Sequence, residues 1–102
     1  MDISVSQESN QLVFTLGGTI DEKGAGELKE QFSQAYKPEI KTIIFKFSRV
    51  THIGSAGIGK LLLFYKKVGI NGGTIVIERP DKTVAELLYT LKLDAVFTIK
   101  KD

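Results

Sequence analysis

Between Val50 and Leu61 the chain reads Val-Thr-His-Ile-Gly-Ser-Ala-Gly-Ile-Gly-Lys-Leu, and this is the stretch whose residue types and spacing could do chemistry. Three glycines, Gly54, Gly57 and Gly59, allow a sharp backbone turn and a close approach by a partner. They stand where a strand pattern gives way to a helix pattern, a place at which α/β sheets commonly receive ligands. A helix start presents unpaired N–H groups and a partial positive charge, both suited to an anion. Ser55 falls at about the N-cap, which puts its hydroxyl near the surface. Its simplest role is to cap the helix, worth roughly 1 kcal/mol. Gly54-x-x-x-x-Gly59-Lys60 also matches a phosphate-binding loop at all but the last position. Leu61 stands where that motif needs a hydroxyl for magnesium, and Ile58-Gly59 already falls inside the apolar helix pattern.

Little else in the chain is equipped for catalysis. The sequence has no cysteine, which excludes a thiol nucleophile, a disulfide framework and a thiolate metal site. Its single histidine, His52, leaves too few ligands for a typical zinc site and reads as an ordinary loop residue. We therefore expect a protein that is not an enzyme, with no cofactor and no metal. At 102 residues, 42% hydrophobic and 25% charged, with a mean hydropathy of +0.01, it reads as one globular domain spanning residues 1–102. No apolar run approaches the roughly 20 residues that cross a bilayer. Met1-Asp2-Ile3-Ser4 lacks the basic and apolar stretches of a signal peptide. A cytoplasmic location without membrane insertion is the expectation. The formal charge of +2 averages an acidic segment, seven acids against three bases over residues 1–39, with a basic remainder, eleven bases against five acids. The bases are dispersed and no basic-aromatic platform is visible, so direct nucleic-acid binding is not expected.

The elements that must position the glycine-rich turn follow from periodicity. Ile3–Val5 and Leu12–Leu16 read as a hairpin around Gln7-Glu8-Ser9-Asn10. Gly17-Gly18 should break the second strand. Asp21 precedes a helix with Ala25, Leu28 and Phe32 on one face, ended by Lys37-Pro38-Glu39. Thr42–Phe47 is apolar enough for a strand buried on both faces. A second helix opens at Gly54–Gly59, with Ile58, Leu61, Leu62, Tyr65 and Val68 as its apolar face. After Asn71-Gly72-Gly73 comes the strand Thr74–Ile77. A third helix begins around Pro80-Asp81-Lys82-Thr83, where Thr83 and Glu86 could form a capping box, and Val84, Leu87, Leu88 and Leu91 give it a stripe. Ala95–Ile99 reads as a last short strand. The fold class is α/β: a mixed sheet of four or five strands, an N-terminal hairpin first, then alternating strands and helices.

The order of these features resembles a known family. Gly18-Thr19-Ile20-Asp21 before the first helix, the strand Phe45–Val50, the turn Ser55-Ala56-Gly57-Ile58-Gly59 and the ending Leu91–Phe97 together are similar to the STAS-domain anti-sigma factor antagonists. The resemblance covers about Leu12 to Ile99. It implies a STAS-like domain in a partner-switching pathway that controls transcription. Such an antagonist binds a serine-kinase anti-sigma factor and is released when that kinase phosphorylates it, until a serine phosphatase restores it. Matching Gly57-Ile58-Gly59 to the family pattern puts the acceptor at Ser55. The partner surface implied is Asp21, Gly54, Ser55, Ala56, Gly57, Ile58 and Lys60, on a monomer or weak dimer. Asp21 reads equally as an N-cap of the first helix.

Two other readings stay open. Gly54 stands where the family carries an acid, and Ala56 where it carries Ser or Thr. Those departures suit a STAS subunit that holds a partner in a transporter or signalling complex without a phosphate switch. A small phosphate- or nucleotide-binding α/β protein using Gly54 to Lys60 is the third. Lys60, Lys66 and Lys67 make one edge of the second helix basic. Leu63 and Phe64 fall off its main stripe, so either that helix is buried over a broad arc or these residues face a partner.

Overall fold

Alternating apolar residues in two segments, Leu12-x-Phe14-x-Leu16 and Ile43-x-Phe45-x-Phe47, build the centre of the structure. The computed structural model describes residues 1–101. Its elements are β1 (Asp2–Glu8), β2 (Gln11–Ile20), α1 (Glu22–Ala35), β3 (Thr42–Ile53), α2 (Ser55–Ile70), β4 (Thr74–Glu78), α3 (Lys82–Thr90), a 3-10 turn (Leu93–Ala95) and β5 (Thr98–Lys100). The five strands form one sheet in chain order, β1 antiparallel to β2 and every later neighbour parallel. This is the mixed α/β architecture expected, with the hairpin first. Among the described residues no helix is long and apolar enough to cross a membrane.

Burial alternates along the central strands. Phe14, Phe45 and Ile77 lie in register and are fully buried, whereas Val13, Ile44 and Val76, the next row, are only half-buried and Lys46 is exposed. Strand β3 is thus covered on one face, not both. Its β-branched and aromatic run fits a pleated surface whichever face is covered, so composition did not separate the two cases. The strand also runs six residues past Phe47, to Ile53, and carries His52 as an exposed strand residue. Strand β2 passes through Gly17-Gly18 instead of stopping. Its pairing with β3 shifts register between Thr15 and Gly17 and between Gly18 and Thr19, with Gly18 at φ 91. The extra residue of each irregularity lies in β3, opposite Gly17-Gly18.

Four phenylalanines fasten the helices to the sheet. Phe32 of α1 stacks on Phe64 of α2 at 4.1 Å between ring centroids, Phe14 on Phe45 at 5.1 Å, and these pairs meet at 6.1 and 6.0 Å. Helix α1 buries Ala25, Leu28 and Phe32 as its spacing indicated. Helix α2 is turned from the expected phase: it buries Gly57, Leu61, Phe64 and Val68, leaving Leu62 39% and Tyr65 40% exposed. The two phases share Leu61 and Val68. Gly57 decides between them, because the side of a helix without a Cβ can come closest to the sheet.

The C-terminal third departs in detail. Asp81, not Thr83, caps α3, its Oδ1 accepting from the Val84 amide at 2.8 Å, so the Thr83–Glu86 box does not form. Val84, Ala85 and Leu88 are buried, whereas Leu87 and Leu91 are 36% and 47% exposed. Lys92, at φ 59, reverses the chain into the 3-10 turn, which places Leu93 and Phe97 in the core and delays β5 to Thr98.

Truncating Phe64 should therefore cost core energy, not surface. Phe64→Ala is expected to destabilise the fold by about 3–5 kcal/mol in urea unfolding, whereas a loss below about 1 kcal/mol would mean that the ring sits at a surface.

Candidate functional site

The ends of β2 and β3 lie side by side, Ile20 paired with Ile53, and each strand turns at once into a helix. Helices α1 and α2 therefore start next to each other at the carboxyl edge of the parallel strands. At the first start Asp21 is the N-cap: its Oδ1 accepts from the Gly24 amide at 2.8 Å and its carbonyl from the Ala25 amide at 2.8 Å. Gly24 lies tight beneath, where an added Cβ would come within 2.8 Å of Met1 Sδ and 3.1 Å of the Thr19 carbonyl.

At the second start the N-cap is Gly54, one residue before the position expected, and Ser55 is the first helical residue. Gly54 donates its amide to the Ile20 carbonyl at 3.0 Å and accepts at its own carbonyl from the Ile58 amide at 3.1 Å. No side chain caps α2, and no acid stands in its first turn. Ser55 is exposed. The next turn explains how it is held there. Gly57 is buried, and a Cβ on it would stand 2.7 Å from Ile20 Cγ2 and 2.7 Å from Ile53 Cγ1. Only glycine lets the first turn of α2 sit on the paired ends of both strands. Ala56 and Ile58 are half-buried against the core, and Lys60 is half-buried one turn on.

The structure places the expected partner-surface residues at or just after these two neighbouring helix starts. Asp21 and Gly54 occupy equivalent places on neighbouring helices, with Ser55, Ala56, Gly57, Ile58 and Lys60 following in α2. The phosphate-loop reading loses its loop. Helix α2 already begins at Ser55, so Gly59 and Lys60 are helical and Leu61 is buried. Sequence reasoning missed the groove between the two helices, about 660 Å3, walled by Glu22, Ala25, Gly26, Ala56, Gly59, Lys60 and Leu63. Leu63, off the expected stripe, is half-buried there. A signal existed: Gly26 and Gly59 sit inside helices, where glycine costs roughly 0.5–1 kcal/mol against alanine, and a Cβ on either would meet nothing within 4 Å.

Comparison with known proteins adds to this geometry. Residues 2–102 match the STAS domain family. The structure is similar to that of an anti-sigma factor antagonist described as putative from Thermotoga maritima, with a TM-score of 0.89 at 17% identity, covering 98% of this chain and 86% of that one. It is similar to an anti-sigma factor antagonist from Mycobacterium paratuberculosis, with a TM-score of 0.86 at 20% identity, covering 99% and 86%. A third likeness is to the Bacillus cell fate determinant SpoIIAA in its phosphorylated form, with a TM-score of 0.77 at 19% identity, covering 96% and 90%. At such identities these likenesses establish the fold.

Two glycines of the turn, Gly57 and Gly59, should separate by substitution. Gly57→Ala is expected to destabilise by about 1–3 kcal/mol, because Ile20 and Ile53 must move. Gly59→Ala should stabilise by up to about 1 kcal/mol through helix propensity. Chemical unfolding of both variants checks this, and equal effects would contradict the seating of α2 on Gly57.

Proposed function

This chain belongs to the STAS domain family, and we propose that within it the protein is an anti-sigma factor antagonist whose docking to a serine-kinase anti-sigma factor is switched by phosphate on Ser55. The observation that carries the reading is an exposed serine at the first position of a helix that no side chain caps, beside the start of a second helix. Solved structures of the same fold described as anti-sigma factor antagonists support it.

The physical logic of the switch lies in the position of Ser55. Phosphorylation adds about −1.5 to −2 charges and three acceptor oxygens. In the first turn of α2 the free amides and the helix dipole accommodate that charge, and no carboxylate in the turn opposes it. The fold therefore tolerates the modification. The docking surface does not, since repulsion and desolvation at an interface can remove several kcal/mol of binding. A coupling of about 3–4 kcal/mol lowers affinity by a few hundredfold. In this reading Asp21, Gly54, Ala56, Ile58 and Lys60 contribute with Ser55 to the surface the kinase reads, while the buried Gly57 seats the turn that presents it. The protein supplies the hydroxyl, the kinase supplies ATP and magnesium, and a serine phosphatase resets the cycle. In this reading it acts in the cytoplasm as a monomer or weak dimer, has no catalytic activity of its own and does not touch nucleic acid.

One observation favours a second reading. With Gly54 and Ala56 flanking Ser55, no acid or second hydroxyl adjoins the acceptor along the chain. A STAS subunit that holds its partner permanently, in a transporter or signalling complex, would need neither.

Incubation with the cognate serine-kinase anti-sigma factor and ATP, followed by intact-mass and peptide mass spectrometry, decides between them. One phosphate per chain on Ser55, lost in Ser55→Ala, is the expected result. Phosphate that persists in Ser55→Ala would move the site elsewhere, and a complex that ATP never loosens would favour the permanent subunit.

A further inference from the structure

The open face of the sheet carries a second polar site that the partner-switching reading does not use. Lys46 and Ser48 stand two residues apart on β3 and so on one face. Lys46 pairs across the ladder with Glu78, and Glu78 in turn with Lys100. The pairing of β3 with β4 ends at Lys46–Glu78, whereas β3 continues to Ile53. At this step lies a depression of about 330 Å3 lined by Lys46, Ser48, Glu78 and Arg79. It sits at the carboxyl ends of parallel strands, where open α/β sheets commonly bind ligands.

Arg79 is held there against its backbone preference. Its φ is 53, the left-handed region, which costs an L-residue roughly 1–2 kcal/mol. A residue before a proline is ordinarily extended, and Pro80 follows. The other left-handed non-glycine residues occupy ordinary places, Ser9 in the hairpin turn and Lys92 just past α3. Arg79 donates its amide to the Lys100 carbonyl at 2.6 Å, and Pro80 is buried. The backbone beneath the guanidinium is therefore pinned. Strain kept at a polar cleft is a reason to look for function.

The chemistry of the lining selects the ligand. Lys46 and Lys100 flank Glu78 on the ladder and Arg79 follows it in the chain, so this corner of the open face carries three bases against that one acid. A guanidinium, an ammonium and a serine hydroxyl together suit phosphate oxygens. Glu78 accepts hydrogen bonds only and repels a second anion, but it can receive a hydroxyl. The volume is at the small end of ligand pockets.

We propose that this depression binds a small phosphate monoester carrying a free hydroxyl, the phosphate on Lys46, Ser48 and Arg79 and the hydroxyl donating to Glu78. The site is independent of Ser55. Glycerol 3-phosphate, inorganic phosphate and glycerol, titrated separately into the nitrogen-15-labelled full chain and followed by amide NMR shifts, test it. Glycerol 3-phosphate should give saturable shifts at Ser48, Glu78 and Arg79 with millimolar or tighter affinity, inorganic phosphate weaker ones, and glycerol none. Arg79→Asn, which tolerates the left-handed backbone, and Lys46→Gln should each weaken binding by about tenfold, or 1.4 kcal/mol. Ser55→Ala should bind as the parent does, which separates this site from the phosphoswitch. Absence of saturation at those amides, shifts centred on the first turn of α2, or binding untouched by both variants would overturn the proposal. Inorganic phosphate binding as tightly as the ester would overturn the role of Glu78.

Discussion

The close approach of Gly57 to Ile20 and Ile53 is the constraint on which the rest of the site depends. Because that position has no side chain, the first turn of α2 rests on the last paired residues of β2 and β3. The Gly54 amide then reaches the Ile20 carbonyl, which ties the second helix start to the strand that feeds the first. Further along, the stack of Phe32 on Phe64 holds α1 and α2 together above Phe14 and Phe45. Ser55 is thus mounted on a turn seated against buried Ile20 and Ile53 while its own residue stays exposed.

That combination separates the effects of a charge on the surface from its effects on the fold. A helix start without a side-chain cap is one of the few places where a dianion meets amides and a favourable dipole instead of buried carbon. Its energetic consequences fall on whatever docks there. The groove between α1 and α2 begins at the same edge, and its two helix-interior glycines, Gly26 and Gly59, leave it shallow-walled at a cost in helix stability. The sheet's other face, bare of helices, belongs to a different chemistry, with Lys46, Glu78 and Arg79 at the step between β3 and β4.

Much of this was legible in the sequence, and the exceptions share physical causes. The element order, the α1 stripe and the position of the glycine-rich turn are local signals that tertiary packing reinforced. Glycine misled twice: Gly17-Gly18 stays within β2, opposite bulges in β3, instead of ending the strand, and Gly57 sets the phase of α2 by what it lacks. Apolarity alone could not choose between Phe64 and the Leu62–Tyr65 side of that helix, since both phases carry large side chains. Asp81 caps α3 because it immediately precedes the first helical residue, which a motif search centred on Thr83 overlooks. The left-handed Arg79 has no sequence signature, because neither arginine nor a following proline calls for that conformation.

The proposed switch requires that phosphate at Ser55 change the docking surface and leave the fold alone. Protein carrying phosphoserine at position 55 should be compared with the unmodified protein by calorimetry against the same serine-kinase anti-sigma factor, with unfolding curves recorded for both. The expected result is an affinity loss of about a hundredfold or more with stability kept or raised. Equal affinity of the two forms, or a phosphorylated form that no longer folds, would contradict it.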